Sequence, residues 1–314
     1  MENYYISRSL LKTILYFDIF SYPLLAKEAI SFCDYPGLNP AEGCKALREL
    51  KRIGLLNYYA GYYFVGYDYS IVDRRIEENK RAEMRMKTAR RFTKIISSFP
   101  YVRAVFISGS LSKRVMKPDS DIDYFIITKP GRLWFCRASL TIFKKIFLGN
   151  SHRNFCLNYF VDTDTLSIPD RNRFTATETA FLLPMYNYPL YLTFLRVNNW
   201  YRKDYPNIKE HVEVKPINPI RMKGILEATF DNFIGKTLDH LSFKIISGFW
   251  KKKYKHLDEK SFSLKFRSLK NVSKYHPNSY QKKVLETLER KVREFEQSRG
   301  FSFSDTIPLK ITGS

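Results

Sequence analysis

The sequence has little of several features that mark particular classes of protein. Its 314 residues include only 4 Cys, 13 Gly and 14 Pro, too few for a disulfide-rich or fibrous architecture. The cysteines have no CxxC spacing and no nearby His pair, which indicates free thiols rather than a zinc site. No apolar run approaches the roughly 18–20 residues of a membrane span, and the first residues lack a signal-peptide pattern. We therefore expect a cytoplasmic protein without a membrane partner.

Acidic residues are also scarce. The chain has 31 Asp and Glu against 53 Lys and Arg, which gives a formal net charge of +22. Such a charge attracts polyanions, including nucleic acids and nucleotides. Hydrophobic residues make up 44% of the chain, which excludes a disordered protein. At roughly 100–200 residues per domain, the length predicts two or three domains.

The first 69 residues predict three helices followed by a β-hairpin. Apolar residues recur at helical spacing over 9–20 and 24–33, and Asn39 and Pro40 begin a third helix. Two tyrosine-rich strands follow, joined by a turn at Gly61. This order resembles the winged-helix domain, which we assign to residues 1–69.

In winged helices that bind DNA, the third helix enters the major groove. The resemblance implies that the residues on this helix facing DNA are Glu42, Lys45, Arg48, Lys51 and Arg52. The alternative is a packing role, because the hairpin itself has no Lys or Arg. A long, strongly basic helical pattern over 70–99 then predicts a linker helix.

The residues that indicate chemistry lie between 102 and 127. A buried strand pattern over 102–107 is followed by Gly109 and Ser110, and the next strand begins with Asp121 and Asp123. Carboxylates at i and i+2 of a strand share one face, about 6–7 Å apart, which suits divalent metal ions. A Gly-Ser turn before a short helix lets backbone N–H groups approach a phosphate.

This arrangement resembles the DNA polymerase beta-like nucleotidyltransferase superfamily over about residues 103–161. Ser120, directly before the aspartates, matches the Ser-Asp-x-Asp form of its small prokaryotic members. The resemblance implies that Asp121 and Asp123 are catalytic and hold Mg²⁺ or Mn²⁺. It implies that the residues that bind a nucleoside triphosphate are Gly109, Ser110, Lys113 and Ser120.

The superfamily's third acid comes from a later strand, and here the sequence departs from the pattern. The strand predicted over 155–162 has Asn158 at its inward polar position. Asp162 or Asp164, at the strand end, is the available substitute, and we take Asp162 as the third catalytic acid. Because Asn cannot act as a base, a nucleotide-binding, DNA-binding regulator without catalysis remains the alternative.

The predicted fold is α+β, with a nucleotidyltransferase core over 100–170, a helical C-terminal domain over 171–300 and a tail over 301–314. In the helical part, Thr175 and Glu178 have the spacing of a capping box. Residues 251–300 hold 15 Lys and Arg against 6 Asp and Glu, mixed with aromatic residues, which suits contact with nucleic acid.

We expect transfer of a nucleoside monophosphate to a hydroxyl of RNA, a small molecule or a protein side chain. A toxin–antitoxin component with a protein partner is a further alternative.

Overall fold

The computed structural model describes residues 2–212, 217, 222–259, 262, 265–275 and 280–303. Its architecture is mixed α+β, as predicted, with a three-stranded sheet near the N-terminus and a six-stranded sheet after it. Most of the predicted tail (304–314) and parts of the basic, aromatic segment (260–261, 263–264 and 276–279) lie outside the described residues.

The N-terminal unit has three helices and three short strands. In chain order these are α1 (Glu2–Asp18), β1 (Leu24–Leu25), α2 (Ala26–Phe32), α3 (Pro40–Arg52), β2 (Asn57–Tyr59) and β3 (Tyr62–Phe64). The Asn39 side chain accepts a hydrogen bond from the Ala41 N–H at 2.8 Å, which caps α3 as predicted. The helix predicted over 24–33 is shorter, because Leu24 and Leu25 pair with β3 first. A two-residue strand is too short to show a period in the sequence.

The remaining elements form a layered sheet structure. They are α4 (Ser70–Ser97), β4 (Val102–Ser108), α5 (Gly109–Ser112), β5 (Asp123–Thr128), α6 (Leu133–Phe147), β6 (Cys156–Asp162), α7 (Arg173–Ala180), β7 (Leu183–Tyr186), α8 (Tyr188–Val197), α9 (Met222–Phe230), α10 (Phe233–Lys253), β8 (Ser268–Leu269), β9 (Val272–Lys274) and α11 (Tyr280–Arg299). The strand order is β7-β4-β5-β6-β9-β8. Strands β5 and β6 are parallel, and the other pairs are antiparallel.

The six-stranded sheet crosses the boundary that the sequence predicted near residue 170. Strand β7 pairs with β4, and the hairpin of β8 and β9 pairs with β6. The region after 170 is mostly helical, as predicted, but it also completes the sheet. These strands are two to four residues long, too short for alternating hydrophobicity to reveal them.

Helices cover both faces of the sheet. One face packs with α1, α7 and α8, and Phe106 of β4 contacts Tyr191 and Phe194 there. The other face packs with α4, α6 and α10. The N-terminal unit joins the first layer directly, because Phe17 of α1 contacts Phe181 at a ring-centroid distance of 6.0 Å. None of the helices in the described part of the chain combines the length and apolarity needed to cross a bilayer.

Candidate functional site

Gly109 and Asp123 meet where β4 ends and β5 begins. Ser108 pairs directly with Asp123 in the antiparallel register, so the Gly-Ser turn follows at once. Gly109 has φ +67°, and a Cβ at this position would overlap Asp123 Oδ2. Only glycine allows both the left-handed turn and the close approach of the carboxylate. The structure thus brings together the two parts of the predicted site.

The two aspartates lie on one side of the chain, as their spacing predicted. Ile122 and Tyr124 are fully buried, whereas Asp121 and Asp123 keep some exposure. Strand β5 begins at Asp123, two residues later than predicted. The extended pairing nevertheless continues through Ile122, whose N–H donates to the Arg153 carbonyl and whose carbonyl accepts from Cys156 N, each at 3.1 Å. This pairing holds Asp121 beside the beginning of the sheet.

Asp123 is influenced by burial and by the charges of two other carboxylates. Burial raises the pKa of its carboxyl to about 7. A hydrogen bond from the Cys156 thiol lowers this pKa, while the charges of Glu178 and Asp121 raise it further. The positive charge of Lys113 opposes them. A cation beside Asp123 would therefore be stabilised by more than one carboxylate.

Glu178, which the sequence assigned to a helix cap, lies at the site. Its Oε1 lies 2.7 Å from Lys113 Nζ, and the same Nζ donates to the Gly109 carbonyl at 3.0 Å. Lys113 therefore joins the Glu178 carboxylate to the Gly-Ser turn. Lys113 is near the predicted phosphate site, but in this structure it is engaged by Glu178.

The predicted capping role of Glu178 is wrong. Helix α7 is capped by Asn172, whose side chain accepts from Thr175 N at 3.1 Å. The Thr175 hydroxyl completes the capping box by accepting from Asn172 N at 3.2 Å. Glu178 consequently lies one turn further along α7. Asn172, a favoured N-cap residue three positions before Thr175, was the available signal for this arrangement.

Ser110 and Ser120 border the same turn. Ser110 lies in α5, and its carbonyl accepts from Lys113 N at 3.0 Å and Val115 N at 3.1 Å. Ser120 directly precedes Asp121, and its N–H donates to the Lys117 carbonyl at 3.2 Å. Both serines are partly exposed, and the Ser110 hydroxyl donates to Met116 Sδ at 3.5 Å.

The structure does not bring Asp162 to the aspartate pair. Cys156 is opposite Asp123 at one end of the parallel pair, and Asp162 is opposite Thr128 at the other. Five residues at about 3.3 Å each place these ends roughly 17 Å apart. Asp162 instead accepts from Asp164 N at 3.2 Å, and burial raises the pKa of its carboxyl. The predicted third acid is therefore not at the site.

Asn158 is the extra residue of a β-bulge. Tyr124 is opposite Leu157 and Phe125 is opposite Tyr159, which leaves Asn158 between them without a partner on β5. Its side chain is buried, and its Oδ1 has no hydrogen-bond partner among the residues described. This strand therefore contributes an amide, not an acid, at the position that the sequence predicted to be its inward polar position.

Three basic side chains lie close enough to Asp121 for its charge to affect their pKa values. Lys144 of α6 is buried, and its Nζ lies 3.3 Å from His152 Nε2. Burial lowers the pKa of both groups, while the Asp121 charge raises it. Sequence reasoning missed Lys144, although it follows Leu140 by four residues on the apolar side of α6. The positive charges of Lys144 and Arg85 make this edge of the site attractive to an anion.

The carboxylates alone do not form a complete metal cage. Within the described ranges, no group of three or more His, Cys, Asp or Glu side chains is placed to hold a metal ion. Comparison of the chain with protein-family models, curated proteins and solved structures gives no significant match.

Proposed function

We propose that the protein is a metal-dependent nucleotidyltransferase. The observation that carries the proposal is the packing of Gly109 against Asp123, which places the Gly-Ser turn directly beside a carboxylate. In the proposed reaction, an acceptor hydroxyl oxygen bonds to the α-phosphorus of a nucleoside triphosphate. The bond from this phosphorus to the bridging oxygen breaks, and pyrophosphate leaves. The products are the nucleotidylated acceptor and pyrophosphate.

The residues of the turn bind the triphosphate in this proposal. Gly109 and Ser110 offer backbone N–H groups at the beginning of a helical turn, which is the kind of position where a phosphate binds. Ser120 adds a hydroxyl beside Asp121. Lys113 lies at the same turn, because its Nζ donates to the Gly109 carbonyl at 3.0 Å. In this proposal, the ammonium group leaves Glu178 and binds a phosphate oxygen instead.

Asp121 and Asp123 fit Mg²⁺ or Mn²⁺. Carboxylate oxygens are the ligands that these ions prefer, and Mg²⁺ is commonly held by one or two carboxylates with substrate phosphates and water. Burial raises the pKa of Asp123 to about 7, and the nearby charges of Glu178 and Asp121 raise it further. A cation bound beside Asp123 would be attracted by all three carboxylates. When bound, the ion would neutralise phosphate charge and orient the triphosphate.

We assign Glu178 as the general base, the carboxylate that accepts the proton of the acceptor hydroxyl. A general base must lie near the reacting oxygen, and Asp162 is roughly 17 Å from the pair by the strand rise. Glu178 lies beside the Gly109 turn through Lys113, which its Oε1 contacts at 2.7 Å. Its release from Lys113 would free a carboxylate oxygen for the proton.

A second candidate function is a nucleotide-binding regulator without chemistry. Asn158 favours it, because the strand beside the aspartate pair has an amide in place of an acid. The N-terminal unit favours it as well, because its order α1-β1-α2-α3-β2-β3 suits a winged helix. Lys45 and Arg48 are exposed on α3, where a winged helix contacts DNA.

The deciding experiment is transfer of label from each of the four α-³²P nucleoside triphosphates. Assays contain Mg²⁺ or Mn²⁺, with total cellular RNA or soluble extract as acceptor. The proposal expects a labelled RNA, protein or small-molecule product that the double variant Asp121→Asn, Asp123→Asn does not form. The matched control is Asp119→Asn, which changes an exposed carboxylate in the same loop. Nucleotide binding without transfer by the wild type would favour the regulator.

A further inference from the structure

The outer side of the helix layer formed by α6 and α10 carries a large apolar surface. Six apolar side chains here are each at least half exposed. They are Ile142, Ile146 and Phe147 of α6 and Leu241, Ile245 and Phe249 of α10, and we call them the α6–α10 face. Single exposed apolar residues are common in proteins, but a contiguous group of this size marks an interaction site.

The two helices lie side by side, so the exposed residues form neighbouring rows. Trp134 of α6 contacts Phe243 of α10 at a ring-centroid distance of 5.1 Å. Near the other end of α10, the Arg137 guanidinium lies 4.9 Å from the Trp250 ring. These inner contacts face the sheet. On the opposite side, the exposed residues recur every four positions in α10 (Leu241, Ile245 and Phe249) and at Ile142 and Ile146 of α6. Phe147 extends the α6 row at its end and contacts Phe143 at a ring-centroid distance of 5.0 Å. Such spacing produces two parallel apolar ridges with a groove between them.

The charge around the α6–α10 face has one sign. Helix α6 contains no Asp or Glu, and the single acid of α10, Asp239, accepts a hydrogen bond from Phe135 N at 2.9 Å. The exposed lysines around the face are Lys145, Lys236, Lys244, Lys251, Lys252 and Lys253. A complementary partner must therefore be apolar at its centre and negatively charged at its edges.

We propose that the α6–α10 face binds an acidic amphipathic helix of a partner protein. A third helix fits a groove between two helices when its apolar residues repeat at i, i+3, i+4 and i+7. A second copy of this chain is disfavoured, because it would place two sets of lysines against each other. A lipid surface is disfavoured as well, because the face has no Trp or Tyr, the residues enriched at membrane interfaces.

The test uses the full chain and a synthetic helical peptide of about 20 residues, long enough to form an isolated helix. The peptide carries Leu at i, i+3, i+4 and i+7 and Glu at most other positions, with a fluorophore for anisotropy measurements. We expect saturable binding that weakens with salt. The triple variant Ile146→Ser, Ile245→Ser, Phe249→Ser should weaken binding by about tenfold or more. Thermal unfolding checks that the triple variant is folded.

Three controls make the result specific. Met84→Ser changes an apolar residue that is equally exposed, but on α4, and it should leave binding unchanged. A peptide with Lys in place of Glu should not bind, and neither should a scrambled peptide of the same composition. Failure of the acidic peptide to bind the wild type would overturn the proposal. So would self-association that the triple variant abolishes, or binding to phosphatidylserine vesicles through these residues without binding to the peptide.

Discussion

Gly109 leaves the space that Asp123 Oδ2 occupies, and no other residue type can do so at this turn. Two separate restrictions act on Gly109. Its φ of +67° disfavours any residue with a side chain, and a Cβ would overlap the Asp123 carboxylate. The contact ties the predicted phosphate turn to the predicted metal ligand, so disturbing either group should disturb the other.

The first prediction concerns Gly109→Ala. We expect loss of metal-dependent nucleotide binding, because the added methyl group displaces Asp123 from the turn. Gly131→Ala is the matched control, since Gly131 has φ +66° but nothing within 4 Å of its added Cβ. Both variants should lose about 1 kcal/mol or more to the unfavourable backbone conformation. Isothermal titration with a nucleoside triphosphate and Mg²⁺ measures binding, and equal binding by both variants would contradict the assignment.

The second prediction separates the proposed base from the binding groups. Glu178→Gln should reduce nucleotidyl transfer by about 10²–10⁴-fold while retaining metal-dependent nucleotide binding. The double variant Asp121→Asn, Asp123→Asn should lose both. Glu210→Gln, which changes a surface ion pair with Arg202, should lose neither. Transfer by Glu178→Gln at the wild-type rate would remove Glu178 from the reaction and leave the rest of the site in place.

Asp162→Asn provides the third prediction. Because Asp162 pairs with Thr128 at the far end of β5 and β6, this variant should transfer label at the wild-type rate. The measurement is the same α-³²P assay, run beside Glu178→Gln at equal protein concentration. A loss of transfer with normal nucleotide binding and stability would return Asp162 to the catalytic residues.

The parts of the site that the sequence could predict are those set by local geometry. The side-chain alternation of a strand places Asp121 and Asp123 on one side, and this follows from their spacing alone. The turn at Gly109 is local as well, because only glycine readily adopts its backbone conformation. The same reasoning correctly placed Asn39 at the start of α3.

Residues brought in by packing could not be found in this way. Glu178 reaches the turn because α7 packs against the same layer as α1, a contact between distant parts of the chain. The misplacement of Asp162 has a related cause. Parallel pairing fixes which strand ends meet, and the register of β5 and β6 is not encoded within either strand. Strands β7, β8 and β9 are too short to show alternating hydrophobicity. The sequence therefore does not reveal them, and the sheet has more strands than the sequence indicates.

The fourth prediction concerns the pH dependence of stability at Glu227. Its carboxylate accepts two hydrogen bonds from Arg103, each at 2.9 Å, and one from Tyr101 N at 2.7 Å. Burial raises the pKa of this carboxyl. The hydrogen bonds lower the pKa by more than burial raises it, so the pKa lies below the ordinary value of 4.5. The ionised Glu227 carboxylate therefore stabilises the folded state fully above pH 4.5. This stabilisation is lost as pH falls through the pKa of Glu227 in the folded state, which is lower.

Glu227→Gln should accordingly reduce the free energy of unfolding at pH 7 by about 1–3 kcal/mol. The difference from the wild type should shrink as pH decreases below 4.5, the ordinary value for this group. Urea unfolding at pH 7, 5 and 3.5 measures it. Glu286→Gln, which removes an exposed pair with Lys282, should have almost no effect at any pH. A difference that grows with acidity would contradict the assigned role of Glu227.

The fifth prediction tests whether the N-terminal unit binds DNA. Lys45, Arg48 and Lys51 are exposed on α3, and Lys51 lies 5.1 Å above the Tyr58 ring of the hairpin. Replacing all three with Gln should weaken binding to duplex DNA. It should also reduce the salt dependence of the affinity by about 0.9 in log–log slope for each phosphate that is no longer neutralised.

The matched control replaces Lys80, Lys87 and Lys94, which are exposed on α4, and thus removes the same charge elsewhere. If both triple variants weaken binding equally, net charge accounts for the affinity and α3 is not a DNA-recognition helix. If only the α3 variant does so, the helix contacts the phosphate backbone, and the regulator gains support.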